Sequence, residues 1–211
     1  MASSLRPSRS PRILVTAFEP FDDRGVNRSG QWLEGFLRHA EATALAHVAD
    51  LSAAELPVDF VKLPRALARL WQVERPDVWI LTGESGKGDA IRVERVALNL
   101  LDAPIPDNAG RRRVDEKVMR GGPPAYFATL DPRTARRALE RGGVKSVLSL
   151  SAGSYCCNQA FYVARHLTRR TRTRVIFLHI PRTGAGRGRT APRLDDAAKG
   201  LASLVRALAR G

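Results

Sequence analysis

The chain has 211 residues, 44% of them apolar and 27% charged, which suits one globular domain with a buried core and excludes a wholly disordered or fibrous chain. No run of 18 apolar residues is present, so no transmembrane helix is expected. Lys and Arg number 35 against 21 Asp and Glu, a net charge of +14. The charge is scattered and accompanies no nucleic-acid module, so a dedicated nucleic-acid function is disfavoured and only non-specific attraction of polyanions is expected.

The N-terminal stretch Met1–Arg12 mixes serines with arginines and lacks the apolar middle of a secretory signal, so a cytoplasmic location is expected. Arg12–Ala17 is an apolar run after a proline and predicts a buried strand. Ser29 to Glu41 carries Trp32, Phe36 and Leu37 at helical spacing, with Ser29 as the expected cap. Pro64–Val73 reads as a helix with proline in its first turn. Asp77–Thr82 predicts a second buried strand, and Ile91–Leu101 a third. Pro104–Pro124 is rich in proline, glycine and charge, and predicts a long irregular loop, a length that is usually functional or disordered. Pro132–Arg141 predicts a helix ended by Gly142 and Gly143. Lys145–Leu150 predicts a strand, Cys156–Arg169 a helix, Arg174–Leu178 a strand and Asp195–Ala209 a closing helix. Strands separated by helices imply an α/β fold with a mostly parallel sheet covered on both faces.

Ser151 to Asn158 (SAGSYCCN) holds the chain's two cysteines, Cys156 and Cys157. It follows a predicted strand and opens a predicted helix. A thiol there meets unpaired N–H groups and the positive end of the helix dipole, which favour the nucleophilic thiolate. The competing reading is an inert, buried thiol. Adjacent cysteines seldom bridge each other, and no metal-ligand spacing is present. A nucleophilic cysteine needs a base. His166 lies nine residues beyond Cys157 on the same helix, out of phase and roughly 13 Å along the axis, so it cannot reach. His179 ends a strand, where parallel sheets place active-site side chains. Glu94 is an acid within an otherwise apolar strand, read either as solvent-facing or as the group that orients an imidazole.

In this order the motifs resemble those of the pyroglutamyl peptidases, a family of cysteine peptidases. The similar stretches are Leu14-Val-Thr-Ala-Phe18-Glu19-Pro20-Phe21 with Asn27 following, Val93-Glu94-Arg95 to Asn99, Ile105 to Asn108, Pro123 to Leu130, Ser151 to Asn158, and His179-Ile-Pro181. The resemblance implies a single-domain, three-layer α/β/α sandwich with a mostly parallel, mixed sheet. The composition of the N-terminal stretch makes residues 1–11 an expected flexible basic tail, with 12–211 the peptidase domain. The resemblance assigns Cys157 as nucleophile, His179 as base and Glu94 as its orienting carboxylate. Phe18, Phe21 and Asn27 are expected to line a slot for the pyroglutamyl lactam. Neither cofactor nor metal is implied, and the partners expected are N-terminally pyroglutamylated peptides and a homo-oligomer, often a tetramer in prokaryotic members.

The chain departs from the family pattern around this triad. Asp22 and Asp23 stand where glycines are usual, Glu84 where a neutral residue is usual, Gly88 where an arginine is usual (Lys87 sits one position earlier), and Leu150 where an asparagine is usual. Two other readings follow from these changes: a member acting on another small N-acyl amide, or an inactive homologue that binds polyanions.

Overall fold

A computed structural model describes residues 9–21, 25–43, 45–86, 88–182 and 193–209. In chain order the elements are β1 (Arg12–Phe18), α1 (Arg28–Ala42), a 3-10 turn at Leu45–His47, β2 (Asp50–Leu56), α2 (Lys62–Glu74), β3 (Val78–Ser85), β4 (Ile91–Glu94), β5 (Val96–Leu98), β6 (Ala125–Phe127), α3 (Pro132–Arg141), β7 (Ser146–Ser149), α4 (Cys156–Leu167), β8 (Arg174–Pro181) and α5 (Leu194–Ala209). Residues 1–8 of the expected tail lie outside the described residues, as do Asp22, Asp23 and Lys87.

Six strands form one sheet in the order β2-β1-β3-β8-β4-β7. The first four run parallel, while β4 pairs antiparallel with β8 and parallel with β7, so the last two strands are reversed. This is the mixed α/β sheet expected. The apolar runs of β1, β3 and β8 are buried along nearly their whole length because helices cover both faces. On one face, Trp32 and Phe36 of α1, Ala135 and Leu139 of α3, and Leu201 and Leu204 of α5 pack on Ile13, Val15, Ile80 and Ile176. On the other, Leu63 and Leu67 of α2 and Ala160 and Phe161 of α4 pack on Leu14, Trp79, Val175 and Phe177. Each large apolar side chain buried this way contributes about 1.5–3 kcal/mol.

Three expectations need correction. The strand predicted over Ile91–Leu101 is two strands. The chain leaves the main sheet after Glu94, where Arg95 N donates to Ser149 O at 2.9 Å, and β5 then pairs with β6 in a separate two-stranded sheet. β2 was not anticipated, because its sequence (DLSAAEL) is rich in small and polar residues and its alternate positions stay exposed at the sheet edge. The cap of α1 is Asn27, whose Oδ1 accepts from Ser29 N at 3.0 Å, rather than Ser29 itself.

The predicted loop over Pro104–Pro124 is irregular but tied down. Leu101 bridges Glu116, and Asp107 accepts from the backbone N of Phe60, Ala109 and Arg111. This loop stands beside the candidate site and buttresses it.

Candidate active site

The turn between β7 and α4 makes the site possible. Gly153 adopts φ +85°, a conformation that favours glycine, and lets the chain turn back into the first turn of α4. Tyr155 is the N-cap and supplies no side-chain acceptor, so the N–H groups opening α4 remain available to an anion beside the two cysteines. Asn158 locks this turn in place: its Oδ1 accepts from Leu98 N at 2.8 Å, and its Nδ2 donates to Leu98 O and Leu100 O.

The two thiols, both free, have different surroundings. Cys156 is 1% exposed within the core between α4 and the sheet. Burial pushes its thiol far up, and the adjacent Cys157 charge adds to the effect. Cys157 is half-buried and lines both cavities described below. Its sulfur rests against β3 at Gly83, where an added Cβ would lie 2.7 Å from Sγ and 2.9 Å from Phe177 Cζ. Any side chain at that position would displace the thiol.

His179 lies in register with Gly83 across the β3–β8 pair, and this places its ring beside Cys157. Its Nδ1 is 2.8 Å from Glu94 Oε1, and Glu94 is fully buried. A carboxylate only accepts, so Nδ1 carries the proton and Nε2 is left for the neighbouring thiol of Cys157. Burial pulls the imidazole down. The charge and hydrogen bond of Cys157, with the hydrogen bond and charge of Glu94, outweigh it and raise His179 to about 9. The Phe177 ring, 4.8 Å from that of His179, holds the imidazole from the side. His166 is elsewhere, its Nδ1 2.8 Å from the Tyr126 hydroxyl.

Arg92 belongs to the same group and was not anticipated. Its Nε is 3.4 Å from Glu94 Oε1 and its Nη2 donates to Ser149 Oγ at 2.6 Å. The signal was present: residues two apart on a strand share a face, and Arg92 stands two before Glu94.

Two cavities meet at Cys157. The first is a narrow slot of about 40 Å³ lined by Phe18, Phe21, Asn27, Val58 and Tyr155, with Glu84 and both cysteines at its edge. All three residues expected to form a slot therefore lie together; Val58 and Tyr155 join them. The Tyr155 ring sits edge-on to Phe60 at 5.3 Å and tilted to Phe21 at 6.4 Å, and its hydroxyl donates to Pro106 O. Asn27 has its Oδ1 committed to Ser29, while Nδ2 donates to Glu19 O at 3.0 Å with one of its two hydrogens. The second cavity is an open cleft of about 480 Å³ lined by Arg92, Glu94, His179, Pro104 and the turn Ser151–Tyr155.

Glu84 does not leave a bare charge at the slot. Its Oε2 accepts from Arg28 N at 2.8 Å, at the positive N-terminus of α1, and its Oε1 accepts from Arg182 Nε at 2.7 Å. A roomier concavity of about 780 Å³, lined by His39, Arg141, Lys199, Ser203 and Arg206 among others, has no thiol and no carboxylate in its lining. The chemistry selects the smaller pair of cavities over volume.

Comparisons with known proteins bear on the family and the fold. The family model described as pyroglutamyl peptidase matches residues 11–187. The chain is 41% identical over 202 residues to a pyrrolidone-carboxylate peptidase of Clavibacter michiganensis subsp. michiganensis, covering 93% of this chain and 92% of the relative. It is 36% identical to a pyrrolidone-carboxylate peptidase of Thermococcus kodakarensis, covering 92% and 94%. Its fold is similar to the crystal structure of pyroglutamyl peptidase I from Bacillus amyloliquefaciens, with a TM-score of 0.82 and 31% identity over 95% of this chain and 98% of that one.

Proposed function

Because the chain belongs to the pyroglutamyl peptidase family, we propose that it is a cysteine peptidase that removes an N-terminal pyroglutamyl group from peptides. One observation carries the reading: a thiol beside an imidazole that is hydrogen-bonded to a buried carboxylate, at the joint between an apolar slot and an open cleft. The slot takes a small, flat, neutral ring, and the cleft takes the rest of the peptide. Phe18, Phe21 and Tyr155 supply apolar contact. The second Nδ2 hydrogen of Asn27 is available to the lactam carbonyl.

In this reading His179 Nε2 takes the proton of the Cys157 thiol, and the resulting Sγ thiolate attacks the carbonyl carbon that joins the pyroglutamyl group to the next residue. The oxyanion is stabilised by N–H groups at the start of α4. His179 gives its Nε2 proton to the leaving amine as the C–N bond breaks, which leaves a thioester on Cys157. Water then attacks the thioester, His179 takes the water's proton, and pyroglutamate leaves as the thiol is restored. Glu94 keeps the imidazole upright and balances its charge throughout.

The pairing of Glu84 with Arg182 and with the backbone N of Arg28 removes the bare charge at the slot as a reason to favour a different acyl group. The reading includes a cytoplasmic, homo-oligomeric protein; among the described residues no helix is long and apolar enough to cross a membrane. The test is hydrolysis of a pyroglutamyl reporter amide beside an N-acetyl and an open-chain glutaminyl amide. Only the first is expected to be cut. Cys157→Ser is expected to abolish the reaction, and Cys156→Ala to retain more of it, since its thiol lies in the core rather than on the imidazole. Cleavage by the Cys157→Ser variant would overturn the assignment.

A further inference from the structure

Arg92 is placed by the sheet, not by the loop chemistry around it. It stands directly opposite His179 in the antiparallel register of β4 with β8, so both side chains rise from the same face. Two of its donors are used, one toward Glu94 Oε1 and one toward Ser149 Oγ. A guanidinium has five N–H donors, and the rest have no protein acceptor among the described residues. The side chain remains 32% exposed and lines the open cleft.

Among the described residues, the other charges lining the cleft are already matched. Glu94 faces His179, and Glu84 faces Arg182. Arg92 therefore presents spare positive hydrogen-bonding capacity to whatever enters. With the pyroglutamyl ring in the slot on the Phe18 side of Cys157, the departing residue must extend the other way, to the amine that His179 protonates. That side is the one Arg92 occupies.

We propose that Arg92 is a specificity residue on the leaving-group side, selecting a carboxylate on the residue that follows the pyroglutamyl group. This rests on the peptidase reading above. A planar guanidinium matches a carboxylate in geometry as well as charge. Two sources supply that carboxylate: an acidic side chain, or the free C-terminus of a pyroglutamyl dipeptide.

The test measures kcat/KM for four substrates: pyroglutamyl-alanine amide, pyroglutamyl-glutamine amide, pyroglutamyl-glutamate amide and pyroglutamyl-alanine with a free C-terminus. The alanine amide reports the peptidase reading alone, and no turnover of it overturns that reading. Given turnover, the glutamate amide is expected to exceed its glutamine isostere by about tenfold, the worth of one partly solvated charge-assisted hydrogen bond. The free-acid dipeptide against its amide shows whether the C-terminal carboxylate is read in the same way. A preference for neither carboxylate overturns the proposal and leaves the peptidase reading standing. Arg92→Gln is expected to lower all rates, because it also contacts Glu94, but to bring the glutamate-to-glutamine ratio close to one. Arg92→Lys, which keeps the charge but loses the fork, is expected to give an intermediate ratio. Ratios unchanged in both variants assign the preference to the overall positive charge and overturn the role of Arg92.

Discussion

A single buried carboxylate oxygen, Glu94 Oε1, is approached by both His179 and Arg92. Burial lowers His179, but the neighbouring Cys157, and after it Glu94, outweigh this, and the imidazole holds its proton to about 9, above the ordinary 6.5 of an unfolded chain. A group whose value rises on folding favours the folded state while it is charged. Its contribution is thus complete below about 6.5 and is lost as pH climbs toward 9. Urea unfolding of wild type and His179→Gln is expected to differ most near pH 6 and to converge near pH 9.5. A difference that grows with pH would show that the imidazole is held neutral. Gly83 makes a second demand at this scale. Gly83→Ala puts a methyl 2.7 Å from Cys157 Sγ and 2.9 Å from Phe177. The thiol proposed as nucleophile must move, so a rate loss of about 100-fold is expected from misplacement alone. Thermal unfolding would report a smaller change, about 1–3 kcal/mol. Full activity in Gly83→Ala would mean that the thiol reacts from another rotamer.

Among the elements, α3 and α5 meet through glycine. A Cβ on Gly142, at the end of α3, would lie 2.5 Å from Gly200 Cα in α5; one on Gly200 would lie 2.5 Å from Val144 Cγ2. The α5 apolar face, with Leu201, Leu204 and Val205, packs into the same core as Leu139 and Val144. Gly200→Ala is expected to destabilise the fold by about 1–3 kcal/mol through overpacking, and Val144→Ala in the same chain to return part of that loss. A double-mutant cycle on thermal stability measures the coupling. Strictly additive losses would place the strain elsewhere. Activity per folded molecule is expected to be kept, since neither residue lines the slot or the cleft.

For the whole molecule the net charge of +14 is the dominant long-range feature. It is expected to draw acidic peptides toward the cleft and to be screened by salt, whose Debye length is about 8 Å at physiological strength. KM for an acidic pyroglutamyl peptide is expected to rise between 0.02 and 0.5 M salt, taken as roughly the range over which screening becomes complete. KM for a neutral one is expected to stay level. The salt dependence is expected to persist in Arg92→Gln, because steering is a property of the whole surface while the contact made by Arg92 is local. Salt-independent KM for both peptides would reduce the charge to composition.

The amino-acid sequence determined the five helices and the strands β1, β3, β7 and β8, the turn that opens α4 at the cysteines, and the placing of His179 at a strand end. Apolar runs, caps and turn glycines act over a few residues and leave a local pattern. It did not show β2, whose small and polar residues become a strand only through pairing with β1. Nor did it show the break after Glu94, where the chain leaves one sheet for another without a proline or glycine. The resemblance chose between the two thiols, while residue pattern alone left the choice open; the tertiary structure supplies the physical reason, the packing of Cys157 against Gly83, 74 positions away by residue number. The contact between Glu94 and His179 joins residues 85 positions apart, and Arg92 enters it through sheet register. The structure likewise matched Glu84 with Arg182, 98 positions away, turning an apparently unsuitable charge into a closed pair. Such contacts depend on how distant segments pair in the sheet, and residue spacing along the chain carries no record of that pairing.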